Sequence, residues 1–331
     1  MPGQLFTHYF LTDGIKATPE WKASLAQPEE FAAFRDGVRQ KYEALSRSAA
    51  PNEAVTEQDL IRPVLDLLGW ADHLPQQGAA GNEDIPDYLL FADAEAKRRA
   101  TAKRKPRDRY RDALVVEESK RFGLALDNRD ENDRAGSGTP HGQILRYLST
   151  AETASDGNIR WGILTNGGVW RLYDYHARPR ASGYFEADLV ELLKPGNKDG
   201  LRVFHLLFQR DSFVLQEGAT TTFLEAALAE GRRYEERVAQ DLSGVVFEHV
   251  FPELVQALAD ATGKDLPKIR EAALIFLYRL LFVLYAEDRG LLPVNDARYD
   301  DYGLRKRVRD DIAHRMAGND TFSAHATSSI T

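Results

Sequence analysis

The 331 residues include no cysteine, which excludes disulfide staples, thiol nucleophiles and every cysteine-liganded zinc site. The eight histidines are scattered, and no two stand four apart around a glutamate as a helical zinc protease requires. A metal ion bound here is therefore expected to be a hard one held by oxygen, with Mg²⁺ the first choice and Mn²⁺ the second. Long apolar runs are missing too. The longest, Ala272 to Ala286, is interrupted by Arg279 and falls short of the ~20 residues of a membrane span. The opening MPGQLFTHYF has no basic stretch leading into an apolar core, so the expectation is a cytoplasmic protein with no membrane partner.

The rest of the composition, 43% hydrophobic and 28% charged, is that of a folded protein, and the length suits about two domains at ~150 residues each. The net charge of −8 is unevenly spread. Residues 96–112, AKRRATAKRKPRDRYRD, hold nine Lys or Arg against two Asp, a local +7, so the remainder of the chain sums to −15. Polyanion binding follows a local basic stripe rather than the total. Arg99, Lys103, Arg104, Lys105 and Arg107 are thus candidate phosphate contacts for double-stranded DNA; the plainer reading of the run is a solvated loop.

Hydrophobic periodicity predicts a helical segment within residues 1–50, with apolar positions at Phe31, Phe34, Val38, Tyr42 and Leu45. A second helix is expected from an N-cap at Thr56, kinked or broken at Pro63 and stopped at Gly69. Strands are expected over 85–92 and 112–120, with the basic stretch as a loop between them. Thr139 and Pro140 suit the cap and first turn of a helix to about 154. Two β-rich runs, 159–165 and 169–175, flank Asn166-Gly167-Gly168, a hairpin signal. This describes a mixed α/β domain over 51–217. Beyond it, 220–243, 245–262 and 266–290 read as helices, forming a helical connector over 218–331. The last is apolar on nearly all faces, which a helix tolerates only inside protein. The polar residues 291–331 are too poor in apolar side chains to cover it, so the chain is expected to be a piece of a larger protein or to have a missing partner.

The chemistry concentrates near the two central strands. Residues two apart on a strand share a face, so Glu118 and Lys120 project together at the end of ALVVEESK. If the strand carrying Pro86-Asp87 is its neighbour, Asp87 meets Glu118 and the pair can bind one divalent cation. Lys120 beside them would orient or deprotonate a water. Acid-x-Lys occurs three times in the chain, but only Glu118-Ser119-Lys120 closes a β-branched apolar run, and Pro-Asp occurs once. The plainer alternative is an exposed strand-end ion pair. On the next helix Gln143 and Tyr147, four residues apart, share a face that would shape the site.

Taken together, Asp87, Glu118-Ser119-Lys120 and Gln143-Ile-Leu-Arg-Tyr147 resemble the P-D-(D/E)-x-K nuclease superfamily, in the branch with a Q-x-x-x-Y helix that includes RecB-like nucleases and type I restriction motor subunits. TEQDLIRPVLDLLGW (56–70) resembles the first helix of that branch, and WGILTNGGVWRLYDY (161–175) resembles its hairpin. The resemblance implies a restriction-endonuclease-like mixed sheet flanked by helices. It also implies a metal site of Asp87, Glu118 and the Ser119 carbonyl, with Glu57 as an additional ligand. LYRLLFVLYAEDRGLLP (277–293) is similar to the helical linker of type IIG restriction-modification proteins, in which methyltransferase and specificity domains follow. No N-P-P-F/Y or D-P-P-Y motif and no glycine-rich cofactor loop stands in these residues, so no S-adenosylmethionine site is expected in the chain. The expectation is a Mg²⁺-dependent DNA endonuclease domain of a phage-defence protein. Its rival is a non-catalytic DNA-binding or scaffold module of a larger defence methyltransferase.

Overall fold

The computed structural model describes residues 3–46, 51–75, 85–128, 138–262, 265–288, 290–294, 296–300, 302–306 and 313–314. Six strands form one sheet in chain order: β1 (His73–Pro75), β2 (Tyr88–Leu90), β3 (Val115–Ser119), β4 (Trp161–Thr165), β5 (Val169–Asp174) and β6 (Tyr184–Asp188). All neighbours pair antiparallel except β3 and β4, which run parallel with Val115 opposite Trp161. A parallel pair cannot be closed by a tight turn and needs a crossover. Here that connection contains the helix Pro140–Ala154.

The longer helices of the described residues are α1 (Pro19–Ala26), α2 (Pro28–Ser46), α3, α4 (Ala94–Thr101), α5 (Pro140–Ala154), α6 (Lys198–Phe208), α7 (Phe223–Val245), α8 (Phe251–Thr262) and α9 (Leu266–Asp288). The third, α3, is composite: Glu53–Thr56, a π-type turn Glu57–Ile61 and Arg62–Leu67. The expected cap at Thr56 is displaced. Asn52 caps instead, its side chain accepting from the Val55 N–H at 2.9 Å. Pro63 neither breaks the helix nor ends it, because it sits at the start of the segment that follows the π turn. Gly69 does end it, at φ +86°. The cap on α5 is as expected: Thr139 Oγ1 accepts from the Gly142 N–H, and Pro140 opens the first turn.

The strands are shorter than the sequence suggested, and β1 and β6 are additions. The basic stretch is not the expected loop. Asp93 caps α4, with Ala96 and Ala100 buried four residues apart, and Pro106–Asp112 forms a 3₁₀ helix around buried Tyr110.

Alternation along β3 divides the core. Val115 joins Tyr88, Leu90, Trp161 and Ile163 on the face covered by α2, α3 and α6. Val116 joins Leu89, Leu164, Ile144 and Leu148 on the face covered by α5. The helix comes close enough that a Cβ on Gly162 would lie 2.9 Å from Leu148 Cδ1. Both sheet edges are short or occupied. Gln4 and Leu5 donate backbone N–H groups to Ser182 and Tyr184 beside β6, and β1 has three residues ending in Pro75.

These elements through residue 236 form one compact unit, and residues 237–331 form a second. In the second, Glu287 is 3% exposed and accepts from the Tyr299 hydroxyl and the Leu304 and Arg305 N–H groups. The helix expected to be apolar all round is α9. It buries Ile269, Ala273 and Leu277 but leaves Tyr278 and Phe282 about two-thirds exposed. No helix of the described residues is long and apolar enough to cross a membrane.

Candidate active site

The antiparallel register of β2 and β3 sets Tyr88 opposite Glu117, which brings Asp87, one residue earlier, alongside Glu118. The contacts follow. Asp87 N–H donates to Glu118 Oε2 at 3.2 Å, and Ser119 N–H donates to Asp87 Oδ2 at 2.8 Å. Lys120 leaves the strand with its N–H on the Thr165 carbonyl and turns its ammonium back to Glu118, Nζ to Oε1 2.5 Å. The Glu118 and Lys120 side chains are 4% and 12% exposed. The alternative of an exposed ion pair is thereby excluded, and the three predicted groups lie in one largely buried cluster.

Burial dominates the electrostatics. It raises the Asp87 pKa against the opposing pull of Lys120 and the Ser119 N–H. Burial and the neighbouring Asp87 push Glu118 up to about 8. Lys120 stays above its ordinary value, because Glu118 and Asp87 outweigh its own desolvation. The lysine therefore keeps its proton, and the two carboxylates, with one cation between them, cannot both ionise without cost.

Gln143 and Tyr147 occupy α5, the helix over the Glu118 face, and are 8% and 6% exposed. Glu57 has other company. Its Oε1 accepts from the Tyr88 hydroxyl and from Arg62 Nη2, the latter at 3.0 Å, while its charge still contributes to raising Asp87. Among the basic residues, Arg99 is paired with Asp112 at 3.1 Å and Glu95 at 3.4 Å, and Lys103 lies 4.0 Å from Asp112. Lys103, Arg104, Lys105 and Arg107 are exposed.

Glu117 escaped the sequence reading. It is fully buried on the face opposite Glu118, with Oε1 accepting from Ser119 Oγ at 2.9 Å and Oε2 without a partner among the described residues. Burial and Asp87 hold its pKa well above the carboxylate range. The signal was the Glu117-Glu118 pair itself, since consecutive strand residues must face opposite sides.

Among the described residues no group of three or more metal-ligating side chains converges. Mg²⁺ does not require one: it is commonly held by one or two carboxylates, with water completing the shell. Asp87 and Glu118, side by side on adjacent strands, supply two such carboxylates and fit a divalent cation on that ground. Searches among protein families, curated proteins and solved structures return no match to this chain.

Proposed function

We propose that the unit over 1–236 is a Mg²⁺-dependent endonuclease acting on double-stranded DNA, with a restriction-endonuclease-like core made by β2, β3, β4 and the α5 crossover. The observation carrying this reading is the convergence of Asp87, Glu118 and Lys120 in one largely buried cluster, linked by the 3.2 Å and 2.5 Å contacts. Asp87, Glu118 and the Ser119 carbonyl would hold the metal, which when bound supplies charge neutralisation and Lewis acidity at the scissile phosphate. Glu57 joins that set only by giving up Tyr88 and Arg62.

The chain's own groups do the positioning. Ser119 N–H fixes the Asp87 carboxylate, so the strand that presents Glu118 also aims its partner. Lys120, held protonated, orients the attacking water and offsets negative charge growing on the phosphate. It is an electrostatic group rather than the base. Gln143 and Tyr147 wall the site from α5. Exposed Lys103, Arg104, Lys105 and Arg107 meet phosphates, adding affinity without reading sequence. We read the second unit as the helical connector to methyltransferase and specificity domains of a larger phage-defence protein, with exposed Tyr278 and Phe282 on the face such a domain would cover.

The test is cleavage of duplex DNA with Mg²⁺, by this chain and by the chain joined to its partner domains. Lys120→Ala should lower the rate by at least ~10²-fold, the scale of a positioned catalytic group, with little change in DNA affinity. Binding without cleavage in either form would favour the scaffold reading.

A further inference from the structure

Glu57 opens the π-type turn of α3, close enough to Asp87 that its charge acts on that carboxyl, yet its bonds run to the other face of the sheet. Tyr88 follows Asp87 on β2, so its ring points to the face opposite the Asp87 carboxylate. The Tyr88 hydroxyl donates to Glu57 Oε1 and accepts from Arg62 Nε. Arg62 Nη2 donates to the same Glu57 oxygen at 3.0 Å, and its guanidinium carbon lies 5.2 Å from the centre of the Tyr88 ring. Two donors thus converge on one carboxylate oxygen.

The two donors differ in what release of Glu57 would cost them. The Arg62 side chain is 42% exposed and can turn to water. Tyr88 is 1% exposed, so its O–H would be left buried without an acceptor once Glu57 departs. Burial and the Glu57 carboxylate raise the pKa of the phenol, so the donor is present at every working pH. The hold on Glu57 therefore rests mainly on Tyr88.

We propose that Tyr88 is a positioning residue for the metal site: with Arg62 it withholds Glu57, so that the resting site presents two carboxylates rather than three and its affinity for Mg²⁺ is held low. The inference rests on the reading of Asp87 and Glu118 as metal ligands. Chain order makes the device compact, because Asp87 and Tyr88 are consecutive on β2 and one strand both supplies a ligand and restrains another. A site with two carboxylates leaves more of the ion's shell to water and to substrate oxygens.

The experiment is calorimetric titration of the full chain with Mg²⁺, without DNA. Tyr88→Phe keeps the ring and the net charge and removes only the donor. It should tighten Mg²⁺ binding about tenfold, since no buried hydroxyl is then orphaned when Glu57 turns to the ion. Damage to the fold would weaken binding instead. The gain should vanish when Tyr88→Phe is combined with Glu57→Gln, because no third carboxylate is left to release. Unchanged or weaker binding by Tyr88→Phe, or a gain that survives Glu57→Gln, would overturn the proposal; the metal site itself stands if Asp87→Ala still abolishes binding. Binding that Asp87→Ala leaves intact, or no binding by any of these proteins, would overturn the metal reading and this inference with it.

Discussion

Glu118→Gln turns the electrostatics of the carboxylate cluster into a stability measurement. In the metal-free fold Glu118 holds its proton to about pH 8, against an ordinary value of 4.5. Its raised pKa gives stability that is complete below pH 4.5 and is lost as pH rises through 8, because the unfolded chain releases the proton first. Each pH unit in that window is worth about 1.4 kcal/mol, and the whole window ~5 kcal/mol as an upper figure. Solvent screening takes little from this, since the residue is 3% exposed. The amide keeps the shape and cannot titrate. Asp87 and Glu117 titrate in both proteins, so the informative quantity is the difference between wild type and variant. Wild-type stability should fall relative to Glu118→Gln by about 1.4 kcal/mol per unit between pH 5 and 8 in EDTA. Urea unfolding followed by tryptophan fluorescence reads the correct unit, because all four tryptophans, at 21, 70, 161 and 170, are buried within residues 1–236. Saturating Mg²⁺ should reverse the trend, as the ion binds the ionised carboxylates. A pH-independent difference would refute the reasoning and leave Glu118 solvated in solution.

Asp87→Ala should abolish most of the rise in melting temperature that Mg²⁺ or Mn²⁺ gives the wild type; an undiminished rise places the ion elsewhere. Replacing Lys103, Arg104 and Lys105 by Ala should flatten the slope of log K against log salt for duplex DNA by up to ~3 and weaken all sequences alike. An unchanged slope in a fluorescence binding titration would assign these residues to solvent. His205, neutral in the fold with a pKa of about 4 against 6.5, withdraws stability as pH falls from about 6.5 to 4, by up to ~3 kcal/mol. His205→Gln should remove that acid-side loss, and identical urea midpoints for both proteins at pH 4.5 and 7 would contradict it. Gly162→Val should destabilise by ~1–3 kcal/mol through overlap with Leu148, read as a lower urea midpoint, and wild-type stability in the variant would mean α5 moves away freely.

The parts of the fold visible in the sequence are those fixed by local chemistry. Thr139-Pro140 and Asn166-Gly167-Gly168 act through their own side chains and backbone preferences, and both appear where expected. The Glu118–Lys120 contact follows from strand periodicity, and its meeting with Asp87 needed only that β2 and β3 be neighbours. What depends on distant residues was not visible. Three-residue β1 has no pattern of its own and exists because β2 offers a ladder. The basic stretch read as loop because charge obscured Ala96 and Ala100, whose small side chains let α4 settle on the core. Glu57 is drawn to Tyr88 and Arg62 by a pairing across the sheet that its own helix does not announce.

The sheet edges bear on how this unit meets other macromolecules. Gln4 and Leu5 already fill hydrogen-bonding positions beside β6, and Pro75 removes a donor from the short β1. Strand addition, the route by which many modules capture extended peptides or each other, has little template here. Recognition by the first unit is left to side chains on helices and connecting turns. It should therefore tolerate changes in a partner's backbone conformation and respond sharply to single surface substitutions. The same blunted edges protect the sheet from edge-to-edge aggregation.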